Sequence, residues 1–157
     1  MDLDSIAKDV ASYLSQRGAM LATAESCTGG WVAQTLTSLA GSSAWFDAGF
    51  VTYSNSSKQR MLGVKESTLE QEGAVSEAVV LEMAGGACAK SDATYAIAIS
   101  GVAGPGGGSA EKPVGTVWIG WSSPQGSWAK KFNFEGDRKS VRKQAVVAAL
   151  QGLLKGI

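Results

Sequence analysis

Ser26 and Lys58 are the two residues of this chain whose types and positions best suit chemistry as a pair. The chain has no histidine, which excludes serine–histidine and cysteine–histidine catalysis. A serine nucleophile therefore needs another base, and lysine can supply one because burial disfavours its charged form. Each residue follows a predicted strand, so both are expected at the carboxyl ends of a sheet, where ligands bind. Tyr53, just before Lys58, could relay a proton or donate to an oxyanion. Taken singly, Lys58 could also be a solvent-exposed helix residue and Tyr53 a rim aromatic.

The segment 24–30, Ala-Glu-Ser-Cys-Thr-Gly-Gly, is the turn on which Ser26 would be presented. An apolar run precedes this turn and a helical pattern follows it. Small residues at a strand-to-helix turn let backbone N–H groups face an anion at the helix N-terminus. We therefore name Thr28, Gly29 and Gly30 as candidate substrate-binding residues that stabilise an oxyanion. The alternative is that Ser26 or Thr28 only caps the helix.

Two further segments are candidates for binding a substrate. In the glycine-rich loop, Gly104, Gly106 and Gly107 could let backbone amides approach a ligand closely. The loop lacks the spacing of a Walker loop or a dinucleotide site, and a flexible surface loop is its alternative. Arg138 and Arg142 lie four residues apart on a predicted helix, so they share a face and could bind a phosphate. A solvated helix face is the alternative for this pair.

Composition and charge exclude several classes of protein. The 157 residues suit one domain with a sizeable core, and a hydrophobic fraction of 45% is ordinary for a globular protein. The 14 basic and 14 acidic residues cancel, so no overall field favours nucleic acid or an anionic membrane. No apolar run approaches ~20 residues and no signal segment is evident, so we expect a cytoplasmic protein. Two separate cysteines, Cys27 and Cys88, offer no metal site, so no metal is expected.

Helical and strand patterns alternate along the chain and end in a hairpin and a last helix. This order predicts an α/β fold, a three-layer α/β/α domain with a mixed, mostly parallel sheet, and we treat 1–157 as one domain. The run 93–100 is apolar enough to be a central strand covered on both faces. The other strands are predicted at residues 19–24, 44–53, 114–122 and 127–134. Helices are predicted at residues 3–17 and 31–39, after residues 54, 67 and 76, and at 138–155. The predicted helix caps are Asp4, Ser54 or Asn55, Ser67, Ser76 and Asp137.

Several separate motifs, in order along almost the whole chain, resemble the CinA C-terminal domain family. They are Glu-Ser-Cys-Thr-Gly-Gly at 25–30, Val-Thr-Tyr-Ser-Asn at 51–55 with Lys58, Gly-Ala-Val-Ser at 73–76, the glycine-rich 100–108 with 112–116, and Gly-Asp-Arg at 136–138. That family includes nicotinamide-nucleotide amidohydrolases, which convert nicotinamide mononucleotide to nicotinate mononucleotide and ammonia. The resemblance implies that Ser26 is the nucleophile and Lys58 its base, with Tyr53 assisting. We expect a small-molecule nucleotide as substrate, no metal or organic cofactor, no nucleic-acid or membrane partner, and a homo-oligomer.

The same residues are also compatible with two other functions. A nucleotide-binding module would use the same glycine loops to hold a phosphate without turnover. An amidase for another small amide would use the same dyad, because the chemistry of a serine–lysine pair does not specify nicotinamide.

Overall fold

Five strands form one mixed sheet in the computed structural model, which describes residues 2–156. The strands are β1 Leu21–Glu25, β2 Phe46–Val51, β3 Tyr95–Gly101, β4 Thr116–Ser123 and β5 Gly126–Asn133. Their order is β2-β1-β3-β4-β5, with parallel pairing of β1 to β2 and β3, and antiparallel pairing of β4 to β3 and β5. Four strands therefore run in one direction and β4 runs against them. The prediction of a mixed, mostly parallel sheet is confirmed.

Helices cover both faces of this sheet. They are α1 Leu3–Gln16, α2 Trp31–Thr37, α3 Asn55–Leu62, α4 Glu66–Glu72, α5 Glu77–Ala89 and α6 Arg138–Lys155, with a short 3-10 turn at Ser42–Ala44. Buried side chains of α1, α2 and α6 form one hydrophobic core, and those of α3, α4 and α5 form the other. The three-layer α/β/α arrangement is confirmed. Within residues 2–156, no helix has both the length and the hydropathy to cross a membrane.

The two faces of the sheet differ in the size of their side chains. Along the central strand β3, Ile97 and Ile99 belong to the core under α1, α2 and α6, whereas Ala96 and Ala98 belong to the core under α5. A strand residue alternates its side chain between faces, so the alanines all fall on the α5 side. A Cβ on Gly120 of β4 would lie 2.9 Å from a backbone oxygen of α5. Small residues therefore let α5 pack close to the sheet.

Most of the predicted helix starts are confirmed. The side chains of Ser54, Ser76 and Asp137 cap α3, α5 and α6 by accepting backbone N–H groups. The Asp4 prediction is wrong, because Asp2 is the cap of α1 and its Oδ1 accepts the Asp4 N–H at 3.1 Å. Asp2 has the extended backbone of an N-cap, which places Asp4 inside the first turn.

The predicted cap at Ser67 is also wrong. Helix α4 begins at Glu66, and its N-cap residue Lys65 makes no side-chain capping bond. The start of this helix is instead held by Glu82 of α5, whose carboxylate accepts the Lys65 N–H at 2.9 Å and the Thr68 hydroxyl at 2.7 Å. A partner 14 to 17 residues away replaces the local cap.

Helix α3, which carries Lys58, packs against α5 through a glycine. A Cβ on Gly86 would overlap the backbone carbonyl of Leu62, the last residue of α3. The neighbouring Gly85 is exposed, and a Cβ there would meet nothing within 4 Å. The absence of a side chain at Gly86 therefore sets the distance between the two helices.

We expect Gly86→Ala and Gly85→Ala to change stability in opposite directions. Alanine at position 85 should stabilise the protein by ~0.5–1 kcal/mol because it restricts the unfolded chain and favours the helix. Alanine at position 86 should destabilise it by ~1–3 kcal/mol, since a rigid backbone has to move to admit the methyl group. Urea unfolding of both variants measures the difference. Equal midpoints would show that the α3–α5 contact tolerates a side chain.

Candidate active site

Ser26 and Lys58 meet at the carboxyl ends of β1 and β2. Ser26 directly follows β1, and its N–H donates to the Ile99 carbonyl of β3 at 3.0 Å, which fixes it to the sheet. Lys58 lies in the first turns of α3, which begins four residues after β2 ends. The Lys58 Nζ lies 3.1 Å from the Ser26 Oγ. The two residues that the sequence paired are therefore in hydrogen-bonding contact.

The Lys58 amine is buried among neutral oxygen atoms. Its residue is only 1% exposed, and its Nζ contacts the carbonyl oxygens of Thr52 at 3.0 Å and Tyr53 at 3.4 Å as well as the Ser26 hydroxyl. Burial lowers the pKa of Lys58 from its ordinary value of 10.5, and the negative charge that Cys27 carries when it is ionised opposes this effect more weakly. None of the three hydrogen-bond partners is a carboxylate. Burial therefore shifts Lys58 towards the neutral amine, which is the form that can accept a proton.

Cys27 lies beside the pair but stays protonated. Burial raises the pKa of its thiol to about 11, although its own backbone N–H and Arg142 act in the opposite direction. A thiol with this pKa has little thiolate near neutral pH, and the thiolate is the nucleophilic form. Of Ser26 and Cys27, Ser26 is thus the one whose side chain contacts the Lys58 amine.

A buried carboxylate holds the turn that carries Ser26. Glu25 is 1% exposed, and its carboxylate accepts the Thr28 hydroxyl at 2.6 Å and the N–H groups of Val32 and Ala33 at 2.9 and 3.0 Å. Val32 and Ala33 belong to the first turn of α2, so their N–H groups are at the N-terminus of this helix. The helix N-terminus that was expected to face a substrate anion is therefore occupied by a carboxylate of the chain itself.

The glycines of this turn have a conformational role. Gly29 and Gly30 have φ of +60° and +103°, in the left-handed region that other residues rarely adopt. The Gly29 N–H donates to the Ser26 carbonyl at 3.1 Å. These two positions bring the chain back so that α2 can begin over the Glu25 carboxylate.

Arg142 holds the opposite side of the same turn. Its Nε donates to the Cys27 carbonyl at 3.0 Å and its Nη2 to the Thr28 carbonyl at 3.3 Å. The guanidinium also lies 5.5 Å from the centre of the Trp31 ring. Its side chain is thus committed to protein groups rather than directed at an open cavity.

Arg138 connects the glycine-rich loop to Tyr53. Its Nη1 donates to the Gly104 carbonyl at 2.8 Å and its Nη2 to the Tyr53 hydroxyl at 3.0 Å. Tyr53 is 62% exposed, so its ring stands at the mouth of the site with its hydroxyl held by a cation. Lys112, further along the loop, donates to the Glu72 carbonyl at 2.7 Å and anchors the loop to α4.

A cavity of about 290 Å³ lies over the Ser26–Lys58 pair. Seven of the predicted site residues line it: Ser26, Tyr53, Lys58, Gly104, Gly106, Gly107 and Arg138. The other four, Thr28, Gly29, Gly30 and Arg142, are not among its lining residues. The structure thus brings the pair, the tyrosine, the loop and one arginine together, whereas the other four residues lie outside the cavity lining.

Two polar residues of the cavity, Ser100 and Asn55, were not predicted from the sequence to take part in binding or catalysis. Ser100 is 2% exposed at the end of β3, and Asn55 is the first residue of α3. Ser100 could have been found by the rule that located Ser26, because β3 is the parallel neighbour of β1 and ends at the same edge. Within residues 2–156, no cluster of three or more metal-ligating side chains is present.

Comparisons with known proteins agree with this architecture. The family model of the CinA C-terminal domain matches residues 3–157. A protein named nicotinamide-nucleotide amidohydrolase PncC from Escherichia coli K12 is 56% identical over 153 residues, covering 97% of this chain and 93% of that protein. The protein of the same name from Pseudomonas putida is 51% identical over 153 residues, covering 98% and 96%.

Solved structures give the same result for the fold. The crystal structure of the competence/damage inducible protein CihA from Agrobacterium tumefaciens superposes with a TM-score of 0.95 at 44% identity, covering 99% of this chain and 97% of that chain. The competence damage-inducible protein A from Klebsiella pneumoniae also gives a TM-score of 0.95, at 42% identity, covering 99% and 96%. On the family match, the relatives and these structures together, the chain belongs to the CinA C-terminal domain family.

Proposed function

We propose that this chain hydrolyses the carboxamide of nicotinamide mononucleotide to give nicotinate mononucleotide and ammonia. The amidohydrolase class and the substrate rest on the PncC relatives at 51–56% identity. The chemistry rests on one observation, the 3.1 Å contact between the Ser26 hydroxyl and the buried Lys58 amine. Ser26 is the proposed nucleophile and Lys58 the proposed base.

The surroundings of Lys58 support this role. A neutral amine has two N–H bonds and one lone pair. The carbonyls of Thr52 and Tyr53 can accept the two N–H bonds, so the lone pair is left to accept the Ser26 proton. The backbone thus orients the base before a substrate arrives.

In acylation, Ser26 Oγ attacks the carboxamide carbon as its proton passes to Lys58 Nζ. The tetrahedral intermediate then expels the amide nitrogen, which leaves as ammonia with the proton that Lys58 returns. Water then attacks the resulting ester as Lys58 Nζ accepts its proton, and Lys58 returns that proton to Ser26 Oγ as the ester C–O bond breaks, which releases nicotinate mononucleotide and the free serine. No metal or organic cofactor takes part in this scheme.

The oxyanion donor is assigned to the N–H of Cys27. This residue directly follows the nucleophile and lines the cavity. The Thr28–Gly30 set predicted from the sequence supports this role less well, since the Gly29 N–H is bonded to Ser26 and none of the three residues lines the cavity. These residues are better suited to shaping the turn.

The substrate phosphate is assigned to Arg138 and the glycine loop at Gly104, Gly106 and Gly107. Arg138 is exposed at the cavity, and it is fixed at both nitrogens by the Gly104 carbonyl and the Tyr53 hydroxyl. Arg142 is not retained as a phosphate ligand because its guanidinium binds the nucleophile turn. Tyr53, whose hydroxyl is held by Arg138, keeps its proposed assisting role at the mouth of the site.

The remaining expectations stay predictions. They are a single domain over residues 1–157, a cytoplasmic location and a homo-oligomer. Light scattering of the purified chain measures the last of these.

Ser26→Ala should lower ammonia release from nicotinamide mononucleotide by at least ~10³-fold, because it removes the covalent route. Ser56→Ala, at an exposed serine of α3 outside the cavity, is the matched control and should keep full activity. Thermal melting checks that both variants fold. Near-normal turnover by Ser26→Ala would show that Ser26 has only a structural role in the turn. If the unaltered protein binds nicotinamide mononucleotide but releases no ammonia, it is a binding module.

Lys58→Arg should be as inactive as Lys58→Met, although it keeps the positive charge. Arginine stays protonated at any working pH and cannot accept the serine proton. In the unaltered protein, kcat should fall as the pH is lowered through the depressed pKa of Lys58, because protonation removes the base. Steady-state rates across pH measure both effects. Substantial activity in the arginine variant would exclude lysine as the proton acceptor.

Nicotinamide riboside, which lacks the phosphate, should be a much poorer substrate than the mononucleotide. A charge-assisted hydrogen bond contributes ~1.5–3 kcal/mol, or roughly 10- to 150-fold in kcat/KM. Arg138→Ala should reduce this discrimination, whereas Lys139→Ala, which removes an adjacent exposed charge outside the cavity, should preserve it. Equal kcat/KM values for the two substrates would favour an amidase for another small amide.

A further inference from the structure

Glu25 is a buried carboxylate whose hydrogen bonds all go to the segment that follows the nucleophile. It ends β1, one residue before Ser26, and is 1% exposed. Its Oε1 accepts the Thr28 hydroxyl at 2.6 Å and the Val32 N–H at 2.9 Å, and its Oε2 accepts the Ala33 N–H at 3.0 Å. All three donors are neutral groups, so the negative charge is stabilised by hydrogen bonds and by the N-terminus of α2.

Together with backbone hydrogen bonds of Ser26, these bonds fix the turn that carries Ser26. Its N–H is fixed to Ile99 of β3, and its carbonyl accepts the Gly29 N–H. Glu25 then holds the far end of the turn by binding Thr28 and the first turn of α2. The turn between β1 and α2 is therefore fixed at its start, at its middle and at its end.

We propose that Glu25 is a positioning residue that holds the Ser26 hydroxyl in contact with the Lys58 amine. The proposal rests on the Ser26–Lys58 chemistry proposed above. Glu25 touches neither the substrate cavity nor Lys58, and it acts through the shape of the turn. A displacement of about 1 Å at a reacting group can cost roughly 10²-fold in rate, so a fixed turn matters for kcat.

A Glu25→Gln substitution removes the negative charge of the side chain but keeps its size and shape. In Glu25→Gln the amide oxygen can still accept from Thr28 and Val32, but its NH₂ group then faces the Ala33 N–H, so two donors meet. The side chain keeps its volume, and one of the three hydrogen bonds becomes a repulsive contact. The start of α2 should shift, and Ser26 with it.

We expect Glu25→Gln to lower kcat by roughly 10- to 100-fold, with KM changed by less than about twofold. The acid limb of the pH profile should keep its position, because the contacts of Lys58 with Thr52 and Tyr53 are retained. Asp2→Ala is the control, since it removes the cap of α1, which lies outside the cavity. It should lower the melting temperature and leave kcat at the value of the unaltered protein.

A second pair of variants keeps the test valid if Glu25→Gln does not fold. Thr28→Val removes the hydroxyl bonded to Glu25 and should lower kcat, and Thr28→Ser should restore most of the loss. If Glu25→Gln and Thr28→Val lose only stability, as Asp2→Ala does, the positioning role is wrong. A rise in KM at constant kcat would also overturn it, because it would place the effect on binding. Full activity in Ser26→Ala would instead contradict the proposed function itself.

Discussion

The burial of a lysine amine against a serine hydroxyl is the constraint on which the rest of this structure depends. Lys58 is 1% exposed and has only neutral oxygen partners, so an ammonium there would lose hydration without gaining a counter-charge. The neutral amine avoids this cost, and two backbone carbonyls use its N–H bonds. Helix α3, which carries Lys58, packs against α5 where Gly86 lies beside the Leu62 carbonyl. The burial of this amine therefore supports the role of base that we propose for Lys58.

The turn that presents Ser26 is held by opposite charges on its two sides. Glu25 accepts the N–H groups where α2 begins, and Arg142 donates to the carbonyls of Cys27 and Thr28. Each charged group meets the backbone dipoles of opposite sign, so both are stabilised while they fix the turn. The N-terminus of α2 therefore binds the protein's own carboxylate, and the cavity is lined instead by Ser26, Arg138 and the glycine-rich loop.

Much of this organisation follows from local sequence. The strand and helix order, the caps at Ser54, Ser76 and Asp137, and the meeting of Ser26 with Lys58 depend on periodicity, capping chemistry and the carboxyl-end rule. The exceptions are side-chain contacts that spacing and capping rules do not describe. Glu82 replaces a local cap for α4, and Glu25 occupies the N-terminus of α2. The Glu82 contacts span 14 to 17 residues, so a local pattern cannot show them, and the prediction of Ser67 as the cap is wrong for that reason. In the same way, the four-residue spacing of Arg138 and Arg142 predicts a shared helix face but does not show that Arg142 binds the carbonyls of Cys27 and Thr28.

The most direct test of the central claim is the protonation of Lys58 in the resting protein. Lysine labelled with ¹³C at Cε, followed by NMR across pH and assigned with Lys58→Met, reports this pKa without any turnover. The account predicts that Lys58 titrates below 10.5, the ordinary value for lysine, and at the same pH as the acid limb of kcat. A Lys58 that titrates at or above 10.5 would be an ammonium at working pH, and it would contradict a lysine base for Ser26.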